Sequence, residues 1–200
     1  MLLDAAYELL GTEGSAGTSV RAVCQRAALN PRYFYESFED LDALLIAVYD
    51  RLVEQLGQQV LAAVEATSED PRDRVRAVME TTVAFVDDDR RRGRILYVEA
   101  LGSEALNRRR IETSHALVGM VERAGAERNG SRPPGEHIAT VAAAILVGGS
   151  AELVAAWLDG RIDATRDELI DDATELFLAV GDAAARIAGR RARQRRRPAT

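Results

Sequence analysis

The stretch TSVRAVCQRAALNPRYFYESF, residues 18–38, decides how this chain is read. Thr18 or Ser19 is placed to cap a short helix, because a side-chain oxygen there accepts from a free backbone N–H. Val20, Val23, Cys24 and Ala27 then fall at i, i+3, i+4 and i+7, one apolar face. Ala28-Leu29 leaves room only for a tight connection. Asn30 is a strong N-cap, Pro31 stands at the first helical position, and Leu29 is set to pack on Phe34 as a hydrophobic staple. Phe34 and Phe38 point inward four residues apart, which leaves Arg32, Tyr33, Glu36 and Ser37 on the outer face. Two short helices joined by so few residues must cross steeply, the geometry of a helix-turn-helix. A helix anchored behind, polar and aromatic in front, is what entry into a DNA major groove requires. From spacing alone, a plain three-helix subdomain with a solvated face also fits.

The flanks agree. Leu2, Leu3, Ala6, Leu9 and Leu10 share one face of a preceding helix, which Gly11, Gly14 and Gly17 are expected to break. Asp40 caps a following helix with Leu41, Leu44, Leu45, Val48 and Leu52 on its stripe, expected to run to about Ala66.

Several blocks carry a family resemblance. Leu3-Asp4-Ala5-Ala6, Thr18-Ser19-Val20-Arg21, Ala27-Ala28-Leu29-Asn30, Phe34-Tyr35-Glu36-Ser37-Phe38 and Asp42-Ala43-Leu44-Leu45 resemble, in order and spacing, the N-terminal signature of TetR-family transcriptional regulators. The resemblance implies that Thr18 and Ser19 hold phosphate at a helix start and that Arg21 reaches a base or phosphate. It further implies that Pro31, Arg32 and Tyr33 face the base edges, that Tyr35 and Ser37 touch phosphate, and that Asn30 stands among the DNA-binding residues. The family commonly has Lys where Leu41 stands and a small residue where Arg32 stands. A basic arm usually precedes the first helix, where this sequence has Met1. Weak non-specific affinity follows as an expectation.

The remainder reads as helices over about 70–88, 90–101, 104–128, 136–159 and from Thr165 on, so the fold class is all-α, with about nine helices. The expected division is a reader over residues 1–46, a sensing and dimerisation domain over 47–188, and a disordered Arg-rich tail over 189–200. Residues 129–135 read as a loop. Wide apolar faces on the last two long helices suit a four-helix contact across a two-fold axis, with Ile145, Gly149, Leu153, Leu169, Ala173 and Phe177 in it. A homodimer also fits a reader of two half-sites on double-stranded operator DNA. Polar groups that interrupt apolar stripes are the only candidates for a small-molecule effector pocket: Thr82, Tyr97, Glu99, His115, Glu152 and Trp157.

Composition bounds the rest. Net charge is −6, and residues 1–50 hold three Arg against eight acidic residues, a balance unfavourable for nucleic acid. The last fifteen residues hold seven Arg and no acid, and the chain has no Lys. An expected role for that tail is the phosphate attraction that the N-terminal half lacks. The single cysteine, Cys24, is expected to be a buried inert thiol. The longest uninterrupted apolar run, Val141 to Gly149, is too short for a membrane span, so the expected place of work is the cytoplasm, with no membrane partner. The sequence holds no HExxH, GxSxG, P-loop or GxGxxG, and His115 and His137 lack partners at ligand spacing. No enzyme, cofactor or metal is expected, and Asp87-Asp88-Asp89 reads as solvated charge. The expected function is a ligand-released repressor. A helical sensing or scaffold protein that has lost DNA binding is the alternative, motivated by the acidic N-terminus.

Overall fold

The computed structural model describes residues 1–129 and 137–195, with side chains at all of these except 126–129. The described residues form helices and connections, with no strand among them.

Helix α1 (Leu2–Thr12) buries Leu2, Ala5, Ala6, Leu9 and Leu10. Gly11 lies inside it, contrary to expectation. A Cβ at Gly11 would stand 2.5 Å from the Cβ of Arg91, so the missing side chain lets residue 91 lie against α1. The break comes at Gly14, where φ is 76° and the short α2 (Gly14–Gly17) begins. Ser19 caps α3 (Val20–Ala27), its Oγ accepting from Ala22 N at 3.2 Å. The turn after α3 places Ala28 in the left-handed region, φ 54°. That costs a non-glycine residue about 1–2 kcal/mol, offset in part because Leu29 N–H donates to Cys24 O at 2.9 Å. Asn30 caps α4 (Pro31–Ser37) by accepting from Arg32 N at 2.9 Å. Phe34 is wholly buried, and Phe38 stacks beside it with ring centroids 6.0 Å apart.

Helix α5 (Leu41–Glu65) starts at the Asp40 cap as expected. It buries Leu44, Leu45 and Val48 in the same core as Leu10, Val23 and Phe34. The helix runs unbroken through residue 46, so the expected domain boundary falls inside a rigid rod about 37 Å long. Reader and body share it.

The body follows as α6 (Pro71–Asp87), a bent segment, then α9 (Glu104–Asn129), α10 (Ile138–Leu158) and α11 (Arg166–Arg195). The bent segment, expected as one helix, is α7 (Arg90–Gly93), a π-helical stretch (Arg94–Glu99) and α8 (Ala100–Gly102). A Cβ at Gly93 would run into Leu158 Cδ1, so glycine admits α10 here. Arg94 Nε donates to Glu99 Oε1 at 2.9 Å, an i, i+5 pair that suits the wider π turn. Taking Gly14–Gly17 with α1, and the bent segment as one, leaves about nine helical units among the described residues, as expected.

Gly160 ends α10, and Thr165 with Glu168 forms the expected reciprocal cap of α11. Met79 and Val83 of α6 pack with Leu169, Ile170 and Ala173 of α11. Arg72 pairs with Glu175 and Arg76 with Asp171, so the two helices run antiparallel. Helix α11 continues to Arg195, which corrects the expected disorder from residue 189; residues 196–200 lie outside the described residues, as do 130–136, which include 130–135 of the expected loop. Helix-favouring Ala and Arg residues sustain those last turns.

By length and composition α10 is apolar enough to pass for a membrane span, with mean hydropathy 1.9. Ser150 and Glu152 divide it, so its longest uninterrupted apolar run is the short one read from the sequence. In the single chain only 17% of that window is buried, so most of its apolar surface is left for another cover.

Candidate nucleic-acid interface

Helix α4 is held from behind by Phe34 alone, and every other residue of it is exposed. Pro31, Arg32, Tyr33, Tyr35 and Ser37 therefore stand on one short, firmly seated element, with Ser19 and Arg21 exposed on α3. Tyr33 and Tyr35 keep more than half of their surface in water. Asn30 directs its carbonyl oxygen to its cap. Ser37 directs its hydroxyl proton to Tyr33 O at 3.1 Å and has to release it before donating to phosphate. Thr18 does not belong in the set. It is buried and donates to Gly14 O at 2.8 Å, so it braces the turn beneath the reader.

Arg32 is paired with Glu36 across one turn, Nε to Oε1 2.9 Å, and both side chains are at least half exposed. Such a pair is worth little in water, yet it decides what DNA meets. Replacing Glu36→Gln frees the guanidinium and removes a charge facing phosphate. Non-operator duplex should then bind roughly 3–10-fold tighter, with a salt slope steeper by about one phosphate. Fluorescence anisotropy across a salt series reads both, and unchanged values would place Glu36 away from DNA.

Counting charges overstates how acidic the reader is. Asp4 pairs with Arg51, Glu8 with Arg91, Glu13 with Arg26 and Asp50 with Arg109, while Asp40 is a cap. Glu36, Glu39 and Asp42 are the acids of residues 1–50 outside those contacts.

The joint between reader and body was not foreseen. Tyr7 of α1 donates its hydroxyl to Asp89 Oδ2 at 2.6 Å, and Arg91 grips the same carboxylate at 2.7–2.8 Å. Arg91 also reaches Glu8, and its guanidinium lies 5.1 Å from the Tyr7 ring centre. One residue pair further on, Arg94 donates to Thr12 O at 2.7 Å, and Glu99 accepts from both Ser15 N and Ser15 Oγ at 2.8 Å. The Arg91 guanidinium, with help from the Tyr7 hydroxyl, holds the Asp89 carboxyl well below the usual carboxylate range. Burial, with Asp89 beside it, pushes the Tyr7 phenol up to about 12. Asp89 is thus not solvated charge. Its signal in the sequence was its position as N-cap of α7, where it accepts from Arg91 N at 3.1 Å.

The six pocket candidates do not converge. Glu99 belongs to the joint, and Glu152 is exposed and paired with Arg161 at 3.6 Å. Trp157 donates Nε1 to Ala164 O at 2.9 Å under the guanidinium of Arg90, bracing the α10–α11 turn. Thr82 bonds its own helix at Val78 O, 2.8 Å, and His115 is exposed on α9. Glu99, Glu152, Trp157 and Thr82 each have a partner close by, which an interruption of an apolar stripe does not reveal. Tyr97 differs. Burial pushes its phenol up to about 12, and among the described residues no group hydrogen-bonds it.

The six residues expected at a dimer contact do come together. Ile145, Gly149 and Leu153 of α10 and Leu169, Ala173 and Phe177 of α11 line one apolar groove of about 380 Å³. Leu169 and Ala173 are its buried floor, while Ile145 and Leu176 stand exposed on it. Cys24 is buried and unpaired with any sulfur. Among the described residues no cluster of His, Cys, Asp and Glu is placed to hold a metal ion.

Comparison with known proteins bears on this geometry. Residues 2–48 match the family described as bacterial regulatory proteins, tetR family. The HTH-type transcriptional regulator BetI of Brucella anthropi is 33% identical over 78 residues, 39% of this chain and 40% of that protein. The match therefore spans well under half the length of that relative. BetI of Brucella canis is 26% identical over 138 residues, 64% of this chain and 69% of that protein. Among solved structures, a transcriptional regulator of Pseudomonas aeruginosa PAO1 superposes with TM-score 0.72 at 20% identity, covering 94% of this chain and 91% of that one. FadR of Bacillus subtilis, solved in complex with stearoyl-CoA, gives 0.69 at 16% identity, covering 88% and 95%. A TetR-family transcriptional regulator from Rhodococcus sp. gives 0.70 at 18% identity, covering 90% and 95%. At these identities the structural likeness concerns the fold.

Proposed function

We propose that this chain, whose residues 2–48 match the tetR family of bacterial regulatory proteins, is a transcriptional regulator of that family and acts as a homodimeric repressor in the cytoplasm. It reads a palindromic operator with α4 and is released by a small-molecule effector. The observation that carries the DNA-binding role is α4 itself: one buried Phe behind, with Arg32, Tyr33 and Tyr35 presented to solvent in front. Arg32 has the fork to pair with guanine O6 and N7, and Tyr33 the face to cover a thymine methyl. Ser19, at the start of α3, together with Arg21, Tyr35 and Ser37, would hold phosphates and set the register.

The groove on α10 and α11 supports the dimer. Its lining is almost entirely aliphatic or aromatic, it is open, and a second copy would cover it by presenting the same surface. Two readers then meet half-sites about one helical turn, ~34 Å, apart. Repression follows from occupying a promoter.

Release is a two-state matter. An effector that binds the body more tightly in one arrangement of the readers favours that arrangement. The joint of Tyr7, Asp89 and Arg91 is the contact through which the body orients α1. Tyr97 is the effector contact this reading favours, since its half-buried phenol has no hydrogen-bond partner among the described residues.

The test titrates the protein against a palindromic operator from the DNA upstream of its own gene and against a single half-site. Two chains per palindrome and much weaker half-site binding are expected. One chain bound equally well to either would end the dimeric reading. Once an effector is found, Tyr97→Phe with an unchanged response would remove Tyr97 from its site.

A further inference from the structure

The C-terminal end of α11 carries a charge pattern that the operator reader does not use. Residues 181–195 add about 22 Å of helix beyond Val180, the last residue to line the apolar groove. Along them Arg186, Arg190 and Arg193 recur at i, i+4 and i+7, one face of the helix, and all three are exposed. Ala184, Ile187 and Ala188 lie between them on the half-buried side. Among the described residues no carboxylate pairs with Arg186, Arg190, Arg191 or Arg193, although the chain as a whole is acidic.

This stripe is far from α4. The start of α11 lies at the reader end of the body: Trp157 bonds Ala164 and carries Arg90, next to the Asp89 joint. Down the molecule, Arg76 meets Asp171 and Arg72 meets Glu175, so α11 runs away from the reader. The arginines therefore lie at the opposite end, out of reach of the duplex that α4 reads. For these described arginines the geometry does not favour attraction to that same duplex; Arg196 and Arg197 of the expected tail lie outside the described residues.

We propose that the stripe is a second polyanion site, which takes the phosphate backbone of a separate nucleic-acid segment. Arg rather than Lys supplies every charge, and the planar guanidinium fork pairs with phosphate through two hydrogen bonds. The exposed residues of these turns are Arg, Ala, Gln and Asp, with no large apolar side chain to anchor in a bilayer. Like charge keeps two such ends apart across a two-fold axis, so dimerisation leaves them open. A dimer then holds one duplex at its readers and offers its distal ends to another, bridging two segments of DNA. The site is independent of effector release and of which operator is read.

The test uses the full chain and the variant Arg186→Gln, Arg190→Gln, Arg193→Gln, whose exposed positions and helix-favouring replacements preserve the fold, checked by circular dichroism. Wild type should pull down a labelled non-operator duplex when immobilised on operator DNA, and the variant should not. The salt slope of non-operator binding should fall by about 2–3, close to 0.9 for each of three phosphates. Operator binding by the variant should persist, which separates this result from failure of the reader. Equal bridging and an equal slope in the variant would overturn the proposal. So would loss of binding to anionic phosphatidylserine vesicles, or to an acidic polyglutamate, with duplex bridging intact.

Discussion

The double substitution Ile145→Arg, Leu176→Arg is expected to split the dimer and weaken operator binding by at least about 100-fold. Ile145 and Leu176 are 55% and 64% exposed in the single chain, so arginine there disturbs no packing within it. Across a two-fold contact the same changes set buried like charges against an apolar floor made of Leu169 and Ala173, and an unpaired buried charge costs several kcal/mol. Separated readers lose the effective concentration that tethering gives the second half-site, an advantage of about 10²–10⁴. Mass in solution and operator titration read the two effects together. Leu61→Arg, at an exposed leucine of α5 outside the groove, is the control and should change neither. A double variant that stays dimeric would move the interface elsewhere.

Asp89→Ala should be the most damaging single change at the joint. It removes the acceptor of Tyr7, the main partner of Arg91 and the cap of α7 at once. Hydrogen bonds to a charged group contribute about 1.5–3 kcal/mol and a cap about 1, but they share partners and do not add fully. A loss of about 2–4 kcal/mol is expected, which lowers Tm by roughly 4–16 °C in a chain of this size. Acidity should do the same to the wild type. The folded Asp89 carboxyl titrates below its unfolded value of about 3.9, so its stabilisation is complete above that pH and is lost as pH falls further. Glu99 acts in the same direction. Burial disfavours its charge, but the bonds from Ser15 and Arg94 outweigh burial and lower its pKa. The Asp89→Ala variant should therefore unfold with a flatter pH profile below about pH 4 than wild type. Equal profiles would show that the joint carries little of the fold.

What the sequence disclosed follows from how local the physics is. Asn30-Pro31, Asp70 before Pro71, and Thr165 with Glu168 are caps, complete within four residues, and each appears where its residues stand. Phe34 was readable because α4 is short and amphipathic. The groove was readable because Ile145 to Leu153 and Leu169 to Phe177 each keep helical period. Contacts that join distant segments left weaker traces. Gly11 looked like a break because its reason, Arg91, lies eighty residues on. Asp89 looked solvated because neither Tyr7 nor Arg91 is legible as its partner without the fold. The π turn at Arg94–Glu99 defeats any template of period 3.6. Thr18 and Ser19 are both plausible caps in sequence, and only the chain path puts Ser19 outside and Thr18 in the core.

The measurement that bears most directly on the central claim is a footprint of the full chain on the DNA upstream of its own gene, at low and moderate salt, beside Arg32→Ala and Tyr33→Ala. The account predicts protection of two half-sites about one turn apart, weakened by salt, and lost or relaxed in sequence preference by either substitution. Protection that neither substitution alters, or none at all by the wild-type chain, would contradict it.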